Sequence, residues 1–98
     1  MNRPAVDAVA REVAQEKAEA LGLAGKKLEE ALRALHELDA ASDTGDARRR
    51  ELVARAAERV TSLLVQREAY GFADPSFLLA HYDVPAEVVA RLGIRVVT

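Results

Sequence analysis

The 98-residue chain contains no cysteine and no tryptophan, and only 4% of it is aromatic. Without cysteine there is no disulfide scaffold, no thiolate nucleophile and no Cys-ligated zinc. No apolar stretch approaches the ~20 residues that cross a bilayer, and a short run at 61–65 stands between Arg59 and Arg67. The first ten residues hold an Arg and an Asp, and no apolar block long enough for a signal-peptide core. A strong charge of one sign is also missing. Lys plus Arg number 14 against 16 Asp plus Glu, a net charge of −2, so nothing draws the whole chain to phosphate backbones or anionic lipid. These features predict a cytoplasmic protein that does not associate with membranes.

What is present points to helices. Half of the residues are apolar and 31% are charged, a balance unlike that of disordered chains. The length suits one domain spanning 1–98. Ala (20 positions), Leu, Glu and Arg dominate, which is the composition of long helices. Arg outnumbers Lys 11 to 3, a bias that suits a GC-rich, bacterial-like coding genome and carries no functional weight.

The first helix is expected over about 4–40. Pro4 can occupy a first turn, where its missing N–H is no loss. Apolar positions recur at Val6, Val9 and Val13 and then settle into two heptad rows, as in a coiled coil. One row is Leu21, Leu28 and Leu35; the other is Ala24, Ala31 and Leu38. Glu12, Glu16, Glu19, Glu29, Glu30, Arg33 and Glu37 fall largely on the other face, with Glu29 and Arg33 spaced for an i,i+4 pair. Gly22 and Gly25 each cost roughly 1 kcal/mol in a helix. The apolar stripe keeps its phase across them, so the helix is expected to continue. Its length is then on the order of 50 Å, beyond the diameter of a compact chain of this size.

The connector 40–45, AASDTG, gathers turn-forming residues. A second helix over about 44–70, starting near Asp43 or Asp46, carries Leu52, Val53, Ala56, Val60, Leu63 and Leu64 on one face and ends at Gly71. So short a connector predicts an antiparallel hairpin. Asp74 and Pro75 open a short helix over 74–82, and Pro85 opens another over 85–92. Gly93 closes that helix, Ile94 is placed to fold back on Val88 or Val89, and 93–98 is a tail. The two short helices are expected to cap one end of the hairpin. The fold class is therefore all-α. Hairpin stripes this rich in Ala bury little, so two copies are expected to pair as a four-helix homodimer. In the alternative, the short helices fold back along the hairpin and complete the core within one chain.

Chemistry-bearing constellations are sparse. The histidines are His36 and His81, and neither sits in a Glu-x-x-His ligand pair: three residues before them stand Arg33 and Leu78. No metal or cofactor is expected. Ser42, Ser62 and Ser76 lie in a connector, mid-helix and in a first turn, with no nucleophile-elbow context. The spacing of Gly22 and Gly25 lacks the strand and the lysine of a phosphate loop. No catalytic residue is expected.

Three features remain as candidates. Arg48, Arg49 and Arg50 open the second helix, where cations oppose the macrodipole. They offer a phosphate- or partner-contacting spot, or are compensated locally by Asp43, Asp46, Glu37 and Asp39. The two short helices resemble a helix-turn-helix in outline, but the second offers a single Arg91 for reading bases. Arg67, with His81 and Tyr82, lies where the hairpin meets the short helices. It is expected to pair with Glu68 or Asp83 or to bind the carbonyls that end a helix, or else to hold a small anion; His81 is expected to hydrogen-bond toward Asp83. The leading reading is a non-catalytic helical module for protein–protein contact or structure, with itself or an unidentified protein as partner. Behind it stand an accessory nucleic-acid-binding regulator, using Arg48, Arg49, Arg50 and the short helices, and a small-ligand bundle with a pocket near Arg67, His81 and Tyr82.

Overall fold

The computed structural model describes residues 3–40, 45–72 and 74–93. Among the described residues are four helices: α1 (Arg3–Ala40), α2 (Asp46–Ala69), α3 (Pro75–His81) and α4 (Ala86–Ala90). No strand occurs among the described residues, and none of their helices is long and apolar enough to cross a membrane. The molecule is all-α, built on a long antiparallel hairpin. The connector residues 41–44, the fold-back of Ile94 and the tail 94–98 lie outside the described residues.

α1 runs through Gly22 and Gly25 without a break, and its length sets the long axis of a molecule measuring 63 × 27 × 17 Å. Both heptad rows face inward. Leu28, Ala31 and Leu35 are buried, while Leu21, Ala24 and Leu38 pack against them from the margin. α2 answers with Leu52, Val53, Ala56, Ala57, Val60 and Leu63. Glu29 and Arg33 make no ion pair; the pairs along the hairpin surface are Arg48–Glu51 at 3.2 Å and Arg55–Glu51 at 3.8 Å.

Helix ends follow local chemistry. Gly71 takes φ +94 after α2, and two bonds close the turn: Phe72 N donates to Arg67 O at 2.8 Å, and Gly71 N to Glu68 O at 3.0 Å. This is a complete Schellman end. Asp74 caps α3 through its side chain, which accepts from Ser76 N at 3.0 Å. α3 closes with the same pair of bonds, Val84 N to Leu79 O at 3.0 Å and Asp83 N to Ala80 O at 3.2 Å. Here Asp83, with φ 50, stands in the left-handed position.

The short helices do not cap one end of the hairpin. They run back along its side. Tyr82 reaches Gly25 in the middle of α1, and Glu87 of α4 reaches Arg49 at the start of α2. Leu78 and Val88 enter the core beside Leu28, Leu35 and Val60, all five fully buried. The physical reason is that two helices leave a third side of their shared stripe open, and the nearest apolar chain fills it. The core over 20–64 is therefore completed within one chain, and the argument that a second hairpin must complete it falls.

One part of α1 has no cover. α2 ends opposite Lys17, whose Nζ sits 5.4 Å from the centre of the Tyr70 ring. Residues 4–19 are all exposed, so Val6, Val9 and Val13 stand 42%, 59% and 43% open to solvent. Those three valines belong to no core in the single chain. α1 projects past the end of α2 by about 20 Å.

Candidate functional site

The arginine triplet is brought to the connector end of the hairpin, where three helices meet. Arg49 is clasped between Asp39, at the end of α1, and Glu87, in the first turn of α4. Its Nε also donates to Glu87 Oε2 at 3.3 Å. The two carboxylates hold the guanidinium even more firmly protonated than usual. Arg48 turns to Glu51. Asp46 and Arg50, although spaced i,i+4, form no ion pair. Arg50 instead lines a shallow cleft of about 310 Å3 with Asp46, Arg49, Val53, Glu87 and Arg91. Asp39 was among the expected compensating acids. Glu87, 38 residues from Arg49, was not, and no local pattern announces it. Two of the three cations are thus engaged with acids.

The second cluster lies at the opposite, open end, where α2 hands over to α3. Arg67 has no carboxylate partner among the described residues, contrary to the pairing expected with Glu68 or Asp83. Its guanidinium carbon instead lies 5.2 Å from the ring centre of Phe72 and 5.5 Å from that of Phe77. The Schellman turn at Gly71 sets one wall by folding Phe72 back over the residue that accepts its N–H. The capped first turn of α3 sets the other. Aromatic faces attract a guanidinium through their quadrupoles. Arg67 Nε is shielded from solvent and makes no hydrogen bond.

His81 does not bond to Asp83 either. Its ring stacks on Phe77 at 5.7 Å and 12°, and meets Tyr82 edge-on at 4.9 Å and 88°. Arg67, His81 and Tyr82 are therefore joined through Phe77, in a row rather than around a hole. Tyr82 is half-buried, and its hydroxyl lies against the Cα of Gly25, where a side chain would collide with it. A cleft of about 280 Å3 lies elsewhere, between Leu23, Lys27, Arg59 and Gln66. His36 is exposed. Among the described residues no three His, Asp or Glu side chains are grouped to hold a metal ion.

No motif or spacing in the sequence singles out Phe72 or Phe77. Their role as walls for Arg67 depends on the return path of the chain after Gly71, and no spacing rule reveals it. Both rings are themselves half-exposed, at 51% and 59%.

No curated protein and no solved structure matches the chain. One family model does, described as a family of unknown function (DUF6665), and because it covers residues 1–97 the chain belongs to that family.

Proposed function

We propose that the protein is a non-catalytic helical module that works by protein–protein contact, assembling as a homodimer in the cytoplasm. One observation carries the reading. Among the described residues the large apolar side chains left exposed gather toward the open end: the three valines of the α1 projection, Leu23, Val65, Phe72 and Phe77. Among the described residues the connector end exposes none. Single exposed apolar residues are ordinary, but a gathering on one part of a molecule favours a contact surface. The arrangement of titratable groups favours no reaction. The Arg49 clasp, whose two carboxylates hold the guanidinium protonated, is a tie between helices beside a shallow cleft.

The test is the solution mass by light scattering behind a sizing column, at two concentrations. A mass of twice 10.6 kDa that falls on dilution supports the homodimer. A mass of 10.6 kDa at both concentrations overturns it.

A further inference from the structure

The geometry points to a specific mode of self-assembly: the projecting third of α1 pairs antiparallel with the same segment of a second copy, about a two-fold axis between Val9 and Ala10. The inference rests on the dimer reading above and gives it a place and a register. Its first support is continuity. At about 100° per residue, Val6, Ala10 and Val13 lie within about 60° of the direction of Leu28, which is fully buried in the hairpin. The face of α1 that α2 covers as far as Lys17 thus runs on, uncovered, to Val6. Asp7, Arg11 and Glu12 stand roughly 80° or more from the centre of this strip, so the strip between Val6 and Val13 carries no charged residue.

The second support is fit. The free length of α1, residues 3–16, has its midpoint between Val9 and Ala10. An antiparallel copy centred there covers all of it and nothing else. Val6 then meets Val13 of the second copy, Val9 meets Ala10, and Val13 meets Val6. A two-fold contact must be self-complementary in this way. The second copy's helix also enters where α2 stops, running in the direction of α2. Its N-terminal turn approaches the C-terminal end of α2, a head-to-tail order that the helix dipoles favour. The Schellman turn at Gly71 takes the chain off that line, so the seat is open. A contact about 20 Å long is smaller than a standard interface of ~800 Å2 per partner, so a dimer that dissociates on dilution is expected.

The absence of native cysteine makes the test clean. Ala10→Cys is oxidised with diamide at a concentration where the mass is that of a dimer, beside Ala47→Cys near the connector as control. Both positions are exposed in the single chain, so neither change disturbs the fold. Near-complete cross-linking of Ala10→Cys, with little for Ala47→Cys, is expected, because only a position beside the axis brings two Cα atoms within the ~4.4–6.8 Å that a disulfide spans. Val13→Glu is expected to weaken association at least ~10-fold while leaving the monomer helix content unchanged. A dimer in which Ala10→Cys cross-links no better than Ala47→Cys overturns this register and leaves the contact-module reading standing. A chain that stays monomeric, with no preferential cross-link, overturns both the register and the dimer.

Discussion

Two glycines three residues apart in α1 separate conformational cost from packing need. Gly22 faces open space, whereas a Cβ on Gly25 would overlap the Tyr82 hydroxyl and crowd its Cζ at 3.2 Å. Gly22→Ala is expected to stabilise the chain by about 1 kcal/mol through helix propensity, visible as a rise of roughly 4–8 °C in Tm. Gly25→Ala is expected to destabilise by about 1–2 kcal/mol, because overpacking outweighs the same propensity gain. Adding Tyr82→Phe should recover part of that loss in thermal melts. Arg49 makes a different residue-scale point. Its bonds to Glu87 and Asp39 raise an already high pKa further, so the stabilisation this represents is complete at neutral pH and is lost only in strong alkali. Arg67 shows how far the sequence could be read. Its place at the junction was legible from the extension of the α2 face, but its partners were not. Acids nearby in sequence suggested an ion pair, and two aromatic rings brought in by the chain's return took that place.

At the scale of elements, the ends of α2 and α3 invite comparison, since each closes with the same two hydrogen bonds around a residue in the left-handed region. Glycine occupies that position after α2 and aspartate after α3. Gly71→Ala is expected to cost about 1–2 kcal/mol, the strain of a Cβ in that conformation, and to loosen the wall that Phe72 forms for Arg67. Asp83→Gly is expected to stabilise by up to about 1 kcal/mol; chemical denaturation of the two variants tests both signs. The first of these ends was plain in the sequence, because Gly after an apolar stripe is a strong stop signal. The second was not, because aspartate is an ordinary surface residue that only sometimes takes this conformation. The same contrast holds for whole helices. The heptad rows through Leu28 and Leu35 revealed the hairpin, since periodicity reports which face is apolar. What covers that face it does not report. The side taken by Leu78 and Val88, and the lack of any cover over Val6, Val9 and Val13, became visible only with the chain's path.

At the scale of the molecule, the projection of α1 ties secondary structure to assembly. A single helical segment of about fourteen residues is marginal in water unless its apolar face is covered. Hydrogen exchange should therefore show two behaviours in one helix. Amides over 24–38, packed against α2, are expected to be protected independently of protein concentration. Those over 5–16 are expected to exchange quickly in dilute solution and to slow as concentration rises. Concentration-independent exchange along the whole of α1 would mean that the projection is not where copies meet.

The elongated outline has a hydrodynamic consequence of its own. The Cα radius of gyration is 17.0 Å, against about 13 Å for a compact chain of similar length. A body more than twice as long as it is wide meets more friction than a sphere of equal mass and tumbles slowly about its short axes. One copy alone should leave a calibrated column early, at a position that globular standards assign to a heavier particle. Amide groups aligned along α1 should show transverse relaxation that depends on their angle to the long axis, even with no exchange between states. Retention volume therefore reports the reach of one helix before it reports the number of chains.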